Sequence, residues 1–152
     1  YDQAIRLDPH LAAAYLNRGA VYFQQGDLAR AISDFSEAIR LDPNDAEAYN
    51  NRGAAYADQG GLARAIADYD QAIRLDPGDA VAYIHRGIAY ARQGDLARAI
   101  ADYDQAIRLD PNLAVAYYGR GLAHQLLGHA DLAAADFAKA RQLAPSPPPA
   151  AP

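Results

Sequence analysis

Apolar and polar positions follow helical spacing over most of the chain. Between Leu62 and Leu75, Leu62, Ala65, Ile66, Tyr69, Ala72 and Ile73 fall at i, i+3, i+4 and i+7, the spacing of one face of an α-helix. Arg64, Asp68, Gln71 and Arg74 lie outside that face, so the segment predicts an amphipathic helix. The segment before it, Ala46 to Gln59, carries Tyr49, Gly53, Tyr56 and Ala57 in similar phase. It predicts another helix, starting after an N-cap at Asp45 and stopping at Gly60. Pro43, Pro77 and Pro111 close successive helix pairs, because proline cannot continue a helix interior. Connections this short force neighbouring helices to run antiparallel.

The two-helix pattern recurs. Leu-Asp-Pro begins at Leu7, Leu41, Leu75 and Leu109, each 34 residues after the last, and a fixed period of this size marks a repeat architecture. The block LARAIADYDQAIRLDP stands identically at Leu62 to Pro77 and at Leu96 to Pro111. Copying of this kind requires duplication of one unit or deliberate consensus building. Gly19, Gly53, Gly87 and Gly121 sit in mid-helix, where glycine costs about 1 kcal/mol relative to alanine. With Ala31, Ala65, Ala99 and Ala133 recurring in the partner helix, they are read as the point of closest helix approach.

These residues resemble the tetratricopeptide repeat. The match is Tyr15, Gly19, Tyr22, Ala31, Phe35 and Pro43, recurring at the same offset in the next two units with tyrosine at the Phe35 position. The resemblance implies an all-α, right-handed superhelical solenoid of antiparallel helix pairs, and it covers nearly the whole chain. A half repeat occupies residues 1–11, full repeats about 12–45, 46–79, 80–113 and 114–145, and a Pro-rich tail residues 146–152. The tail reads as a linker, with a polyproline ligand as the alternative. Tyrosine replaces the family's tryptophan, and Arg18, Arg52, Arg86 and Arg120 stand where the family has leucine. The last repeat departs further, with His124 in place of tyrosine and His129-Ala130-Asp131-Leu132 across its turn.

Composition removes several functions. Among 152 residues there is no Cys, and Lys+Arg 14 against Asp+Glu 19 gives a net charge of −5. Thiolate metal sites and cysteine nucleophiles are excluded. An acidic chain with evenly spread basic residues lacks the footprint of a nucleic-acid binder, and Arg92 alone does not make an RNA groove. No apolar run approaches the roughly 18 residues of a membrane span, so direct membrane insertion is not expected. The chain starts at Tyr1 and contains no Met, which leads to the expectation of a segment from within a longer protein. The compartment is open.

The candidate chemistry is sparse. His124 and His129 are five apart and so off a common helical face, and no cysteine or spaced carboxylate completes a ligand set. Ser33 and Ser36 have no histidine at a triad-like position, and most aspartates serve as caps or i, i+4 partners such as Asp70 with Arg74. No enzyme activity, metal or cofactor is expected.

Variation singles out the first helix of each pair. The second helices are near copies, whereas the first helices differ at Leu16, Asn17, Glu47, Asn50, Asn51, Asp58, Val81, Ile84, His85, Arg92, Val115 and Tyr118. The resemblance implies that first helices line a concave groove holding a peptide or partner protein, drift being the alternative source of the differences. Asn17, Asn51 and His85 occupy equivalent positions, and amides both donate to and accept from an extended backbone. Leu16, Ile84, Ile88, Val115, Tyr118 and Leu122 supply apolar surface. The family's chaperone-binding branch grips a C-terminal carboxylate with Lys and Asn, then Asn, then Lys and Arg. This chain offers Leu16 and Ala20, then Asn51, then Val81 and His85, so that clamp is rejected. The expected function is non-catalytic protein or peptide binding, and the alternative is a structural spacer or self-assembly module.

Two further expectations concern packing. Arg18 and Asp34 are both eight residues from Gly26, so they should sit level on antiparallel helices and pair, as should Arg52 with Asp68, Arg86 with Asp102 and Arg120 with Asp136. The terminal helices have no obvious cap, so weak head-to-tail self-association is expected.

Overall fold

The computed structural model describes residues 1–144, and the tail expected at 146–152 lies outside the described residues. All elements among them are α-helices: α1 (Asp2–Leu7), α2 (Ala12–Gln24), α3 (Leu28–Leu41), α4 (Ala46–Asp58), α5 (Leu62–Leu75), α6 (Ala80–Arg92), α7 (Leu96–Leu109), α8 (Ala114–Leu126) and α9 (Ala130–Leu143). The pairs α2/α3, α4/α5, α6/α7 and α8/α9 make the most extensive contacts, and each second helix also packs on the next first helix. Consecutive first helices α2, α4, α6 and α8 touch, whereas among the described residues α3, α5, α7 and α9 do not touch one another. A stack whose first helices are in reach and whose second helices splay apart is curved. The first helices therefore line the concave side of a right-handed superhelical solenoid.

The turn inside each pair is built by one glycine. Gly26 adopts φ +76°, the left-handed conformation open to glycine at no steric cost. Its N–H then donates to the Phe23 carbonyl and that of Asp27 to the Tyr22 carbonyl, both at 2.9 Å, closing α2 as a Schellman motif. The Asp27 side chain in turn accepts from the Arg30 N–H at 3.0 Å and caps α3. Between pairs, the Asp42 side chain accepts from the Asn44 N–H at 3.0 Å, and Asp45 caps α4 by accepting from the Ala48 N–H at 3.1 Å, as expected.

Pairs approach closely because their contact is made of small residues and one ring. A Cβ at Gly19 would stand 2.8 Å from the Phe35 ring and 3.3 Å from the Ala31 carbonyl oxygen, and at Gly53 2.7 Å from Tyr69 and 3.2 Å from the Ala65 oxygen. The mid-helix glycines thus make room for the ring of the partner helix, with the recurring alanines beside it. Ala31, Ala65 and Ala99 have no exposed surface, and Phe35 is the largest fully buried side chain.

The expected ion pairs form in all four repeats, with both Asp oxygens engaged. Nε and Nη2 of Arg18 donate to Asp34 at 2.7 and 2.8 Å, of Arg52 to Asp68 at 2.8 and 2.8 Å, of Arg86 to Asp102 at 2.9 and 2.7 Å, and of Arg120 to Asp136 at 2.9 and 2.6 Å. The fork has a third use that pairwise counting does not anticipate. Nη1 reaches back to the preceding second helix, onto Asp2 at 2.7 Å, the Ser36 hydroxyl at 3.1 Å, Asp70 at 2.7 Å and Asp104 at 2.6 Å. Each arginine therefore joins three helices across a repeat boundary.

Candidate functional site

The concave side carries two adjoining hollows. One, of about 330 Å³, lies over α4 and α6 and is lined by Phe23, Asn51, Asp58, Tyr69, His85, Ile88 and Arg92. Its neighbour, of about 380 Å³, runs on to α8 and shares Ile88 and Arg92 before becoming apolar with Tyr103, Val115, Tyr118, Leu122 and Leu126. The groove is thus polar toward the middle of the stack and apolar toward its C-terminal end. No helix among the described residues is long and apolar enough to cross a membrane, and no group of three or more His, Asp or Glu there is placed to hold a metal.

The candidate groove residues divide into those that reach the groove and those that do not. Asn51, Asp58, His85, Ile88, Arg92, Val115, Tyr118 and Leu122 line the hollows. Glu47 and Val81 are exposed, and Leu16 is half-buried against the Ala31 and Phe35 cluster. Asn50 and Ile84 are a correction. Both are buried, Asn50 with its carboxamide oxygen 3.0 Å from His85 Nδ1 and Ile84 packed with Ala106 and Ala116. Leu16, Asn50, Ile84 and Tyr118 are equivalent positions. In the inner repeats the next first helix covers this position; no first helix follows α8 among the described residues, and Tyr118 is 54% exposed.

The row of Asn17, Asn51 and His85 is likewise only partly assembled. Asn17 turns its amide onto the Ala13 carbonyl of its own helix at 2.7 Å. Asn51 makes no side-chain hydrogen bond with the described residues, whereas His85 is engaged with Asn50 and has its ring 5.7 Å from that of Tyr69. Burial holds His85 below the usual imidazole range, with Asp79 opposing the shift. The fourth member is Gly119, where a Cβ would stand 2.7 Å from the Tyr103 ring; the missing side chain leaves Tyr103 as wall of the apolar hollow. Burial pushes the Tyr103 phenol up to about 12, so it stays a neutral donor.

Phe23, Tyr69 and Tyr103 were not anticipated as lining residues. A signal is present for the two tyrosines: one second-helix position reads Phe35, Tyr69, Tyr103 and Phe137, and tyrosine at a packed position requires an outlet for its hydroxyl. At the C-terminal end a third hollow, of about 650 Å³, lies between α8 and α9, lined by Val115, Tyr118, Ala134, Phe137, Ala140 and Arg141.

Comparison with known proteins follows the same lines. Family profiles described as TPR repeat match residues 1–26, 20–60, 55–94 and 89–128, and one described as tetratricopeptide repeat matches 114–147. No curated protein matches in sequence. Among solved structures, MamA is similar at 31% identity and TM-score 0.87 over 94% of this chain and 84% of that one. The first TPR of Spaghetti (RPAP3), solved bound to the HSP90 peptide SRMEEVD, is similar at 29% identity and TM-score 0.75 over 77% of this chain and 93% of that one. The Arabidopsis OM64 TPR domain shares the fold at 24% identity and TM-score 0.74, over 76% of this chain and 95% of that one.

Proposed function

The chain belongs to the tetratricopeptide-repeat family, and from that premise we propose that this protein-interaction module holds an extended peptide along its concave groove without catalysis. The observation that carries the reading is the continuity of the two hollows. Asn51 offers a hydrogen-bonding amide at one end, and Val115, Leu122 and Tyr118 offer an apolar seat at the other, with Ile88 and Arg92 common to both. A peptide seated there pairs its backbone with Asn51 and buries aliphatic or aromatic side chains beside Tyr103.

The ligand differs in character from the acidic peptide bound by the RPAP3 domain. Leu16, Ala20, Val81 and His85 stand where the carboxylate clamp requires basic and amide groups, so a strongly acidic C-terminal tail binds poorly. Panning a displayed peptide library on the chain supplies ligands, and calorimetry with an enriched peptide tests the site. Anchors at such interfaces are worth 2 kcal/mol or more, so Asn51→Ala or Tyr118→Ala weakens binding by roughly 30-fold, while Arg74→Ala on the second helix leaves it unchanged. Unchanged binding in both groove variants, with loss in the Arg74 control, would place the ligand elsewhere.

A further inference from the structure

One turn of the last repeat has exchanged its side-chain network. In the other repeats the last turn of the first helix carries Tyr22, Tyr56 or Tyr90, and the guanidinium of Arg30, Arg64 or Arg98 lies 4.3, 4.5 or 4.4 Å from the ring centroid. Asp27 and Asp95 hold two of these arginines at 2.6 and 2.5 Å. His124, His129 and Leu132 occupy the same tyrosine, aspartate and arginine positions in the last repeat. The departures are not scattered: the ring, its cation and the carboxylate are replaced together, and what remains is two imidazoles.

The turn brings those imidazoles side by side with their planes tilted at 47°, which their spacing along the chain conceals. Helix α8 ends at Leu126, Gly128 reverses the chain at φ +79°, and His129 returns as the N-cap residue of α9. The ring centroids are 5.6 Å apart and the two Nδ1 atoms 3.4 Å apart. That separation is longer than a good hydrogen bond from nitrogen, about 2.7–3.2 Å. Two nitrogens held at about 2.0–2.1 Å on one tetrahedral ion stand about 3.3–3.4 Å apart, as tetrahedral angles require. Adjacent ligands of a square-planar ion would be closer, at about 2.9 Å.

We propose that His124 and His129 form a two-histidine zinc(II) site at the turn between α8 and α9, separate from the concave hollows. Both imidazoles are neutral when bound, ligate through Nδ1 and keep their hydrogen on Nε2. Water fills the remaining positions of the ion. His124 is half-buried in its helix, and the turn sets the backbone of His129, whose exposed side chain lies against His124.

The test is calorimetric titration of zinc chloride into the chain near pH 7.5, about one unit above the imidazole range. One ion per chain is expected, with His124→Gln and His129→Gln each weakening binding by about tenfold or more, the effect of losing one of two ligands. The double variant His124→Tyr/His129→Asp restores the residues found at Tyr22 and Asp27, keeps the helical circular dichroism and binds no zinc at this turn. His10→Gln leaves the titration unchanged. No binding by the unmodified chain, or equal affinity in the double variant, would overturn the assignment.

Discussion

Arg52 is held from three sides, and its carboxylate partner Asp68 is buried. Removing one member of such a pair leaves the other uncompensated, so Asp68→Ala should lower unfolding stability by about 3–5 kcal/mol in urea melts. Arg52→Leu combined with Asp68→Ala, which restores the leucine usual in the family, should cost less than Asp68→Ala alone; a strictly additive cycle would refute the coupling. His85 makes a separate prediction. Its imidazole resists protonation in the fold, so below about pH 6.5 the unfolded chain binds a proton that the folded chain does not. Stability contributed by neutral His85 is therefore full above that pH and declines as pH falls through it. Urea midpoints at pH 7.5 and 5.5, about one unit either side of the unfolded value, should separate, and less so in His85→Gln, whose amide can still donate to Asn50. The Arg–Asp pairs were legible in sequence because antiparallel helices around one turn make spacing equal to height. The burial of Asn50 and the exposure of Tyr118 were not, because the same position is covered or open according to what stacks on it. The His124 and His129 contact is hidden in the sequence for a related reason: helical-face spacing does not hold across a helix end.

At the level of the helix, the caps and glycines of equivalent segments can be compared within one molecule. Helices α3 and α7 begin at Asp27 and Asp95, whose side chains accept from the N–H three residues on, whereas α5 begins at Gly61 without a side-chain cap. Gly61 has an ordinary φ of −80°, so Gly61→Asp introduces no backbone strain, and with its Cβ 3.3 Å from the Tyr56 carbonyl oxygen it should raise stability by a few tenths of a kcal/mol to about 1 kcal/mol. Thermal melting of the variant beside the parent decides the sign. Gly53→Ala should do the opposite despite alanine's better helix propensity. Its Cβ would meet the Tyr69 ring at 2.7 Å and the Ala65 carbonyl at 3.2 Å, and overpacking costs about 1–3 kcal/mol. A Gly53→Ala chain melting higher than the parent would show that the helices can part without loss. The mid-helix glycines were legible as a close approach because their propensity penalty recurs in every repeat; the ring that meets them was less so, since an aromatic at that spacing also fits a helix merely buried.

Across the whole molecule, the two ends of the stack differ in kind. At the N-terminal end α1 is short, with Leu7 80% exposed, and Arg18 holds it through Asp2. At the other end α9 carries Ala138 where Asp2, Asp70 and Asp104 stand, and Arg141 where Ile39, Ile73 and Ile107 stand. We propose that head-to-tail association, in which α9 of one chain replaces α1 of another, is weak because it sets Ala138 against Arg18. Sedimentation should find monomers in dilute solution and association only on concentration, and Ala138→Asp should strengthen it; no change in that variant would count against this docking. Native-state hydrogen exchange should show the shortest-lived protection in α1 and the longest in α4 to α7, since a stack is stabilised by its neighbours. The arginine bridge also gives the stack a direction, because each fork reaches backward to a carboxylate or hydroxyl supplied by the unit before it. A copied unit spliced between existing ones finds Ser36, Asp70 or Asp104 behind it and supplies a partner to the unit ahead. The same copy joined after α9 meets a methyl group at Ala138. Gene duplication can therefore lengthen this array from within while keeping every bridge, whereas a unit placed after α9 goes without one.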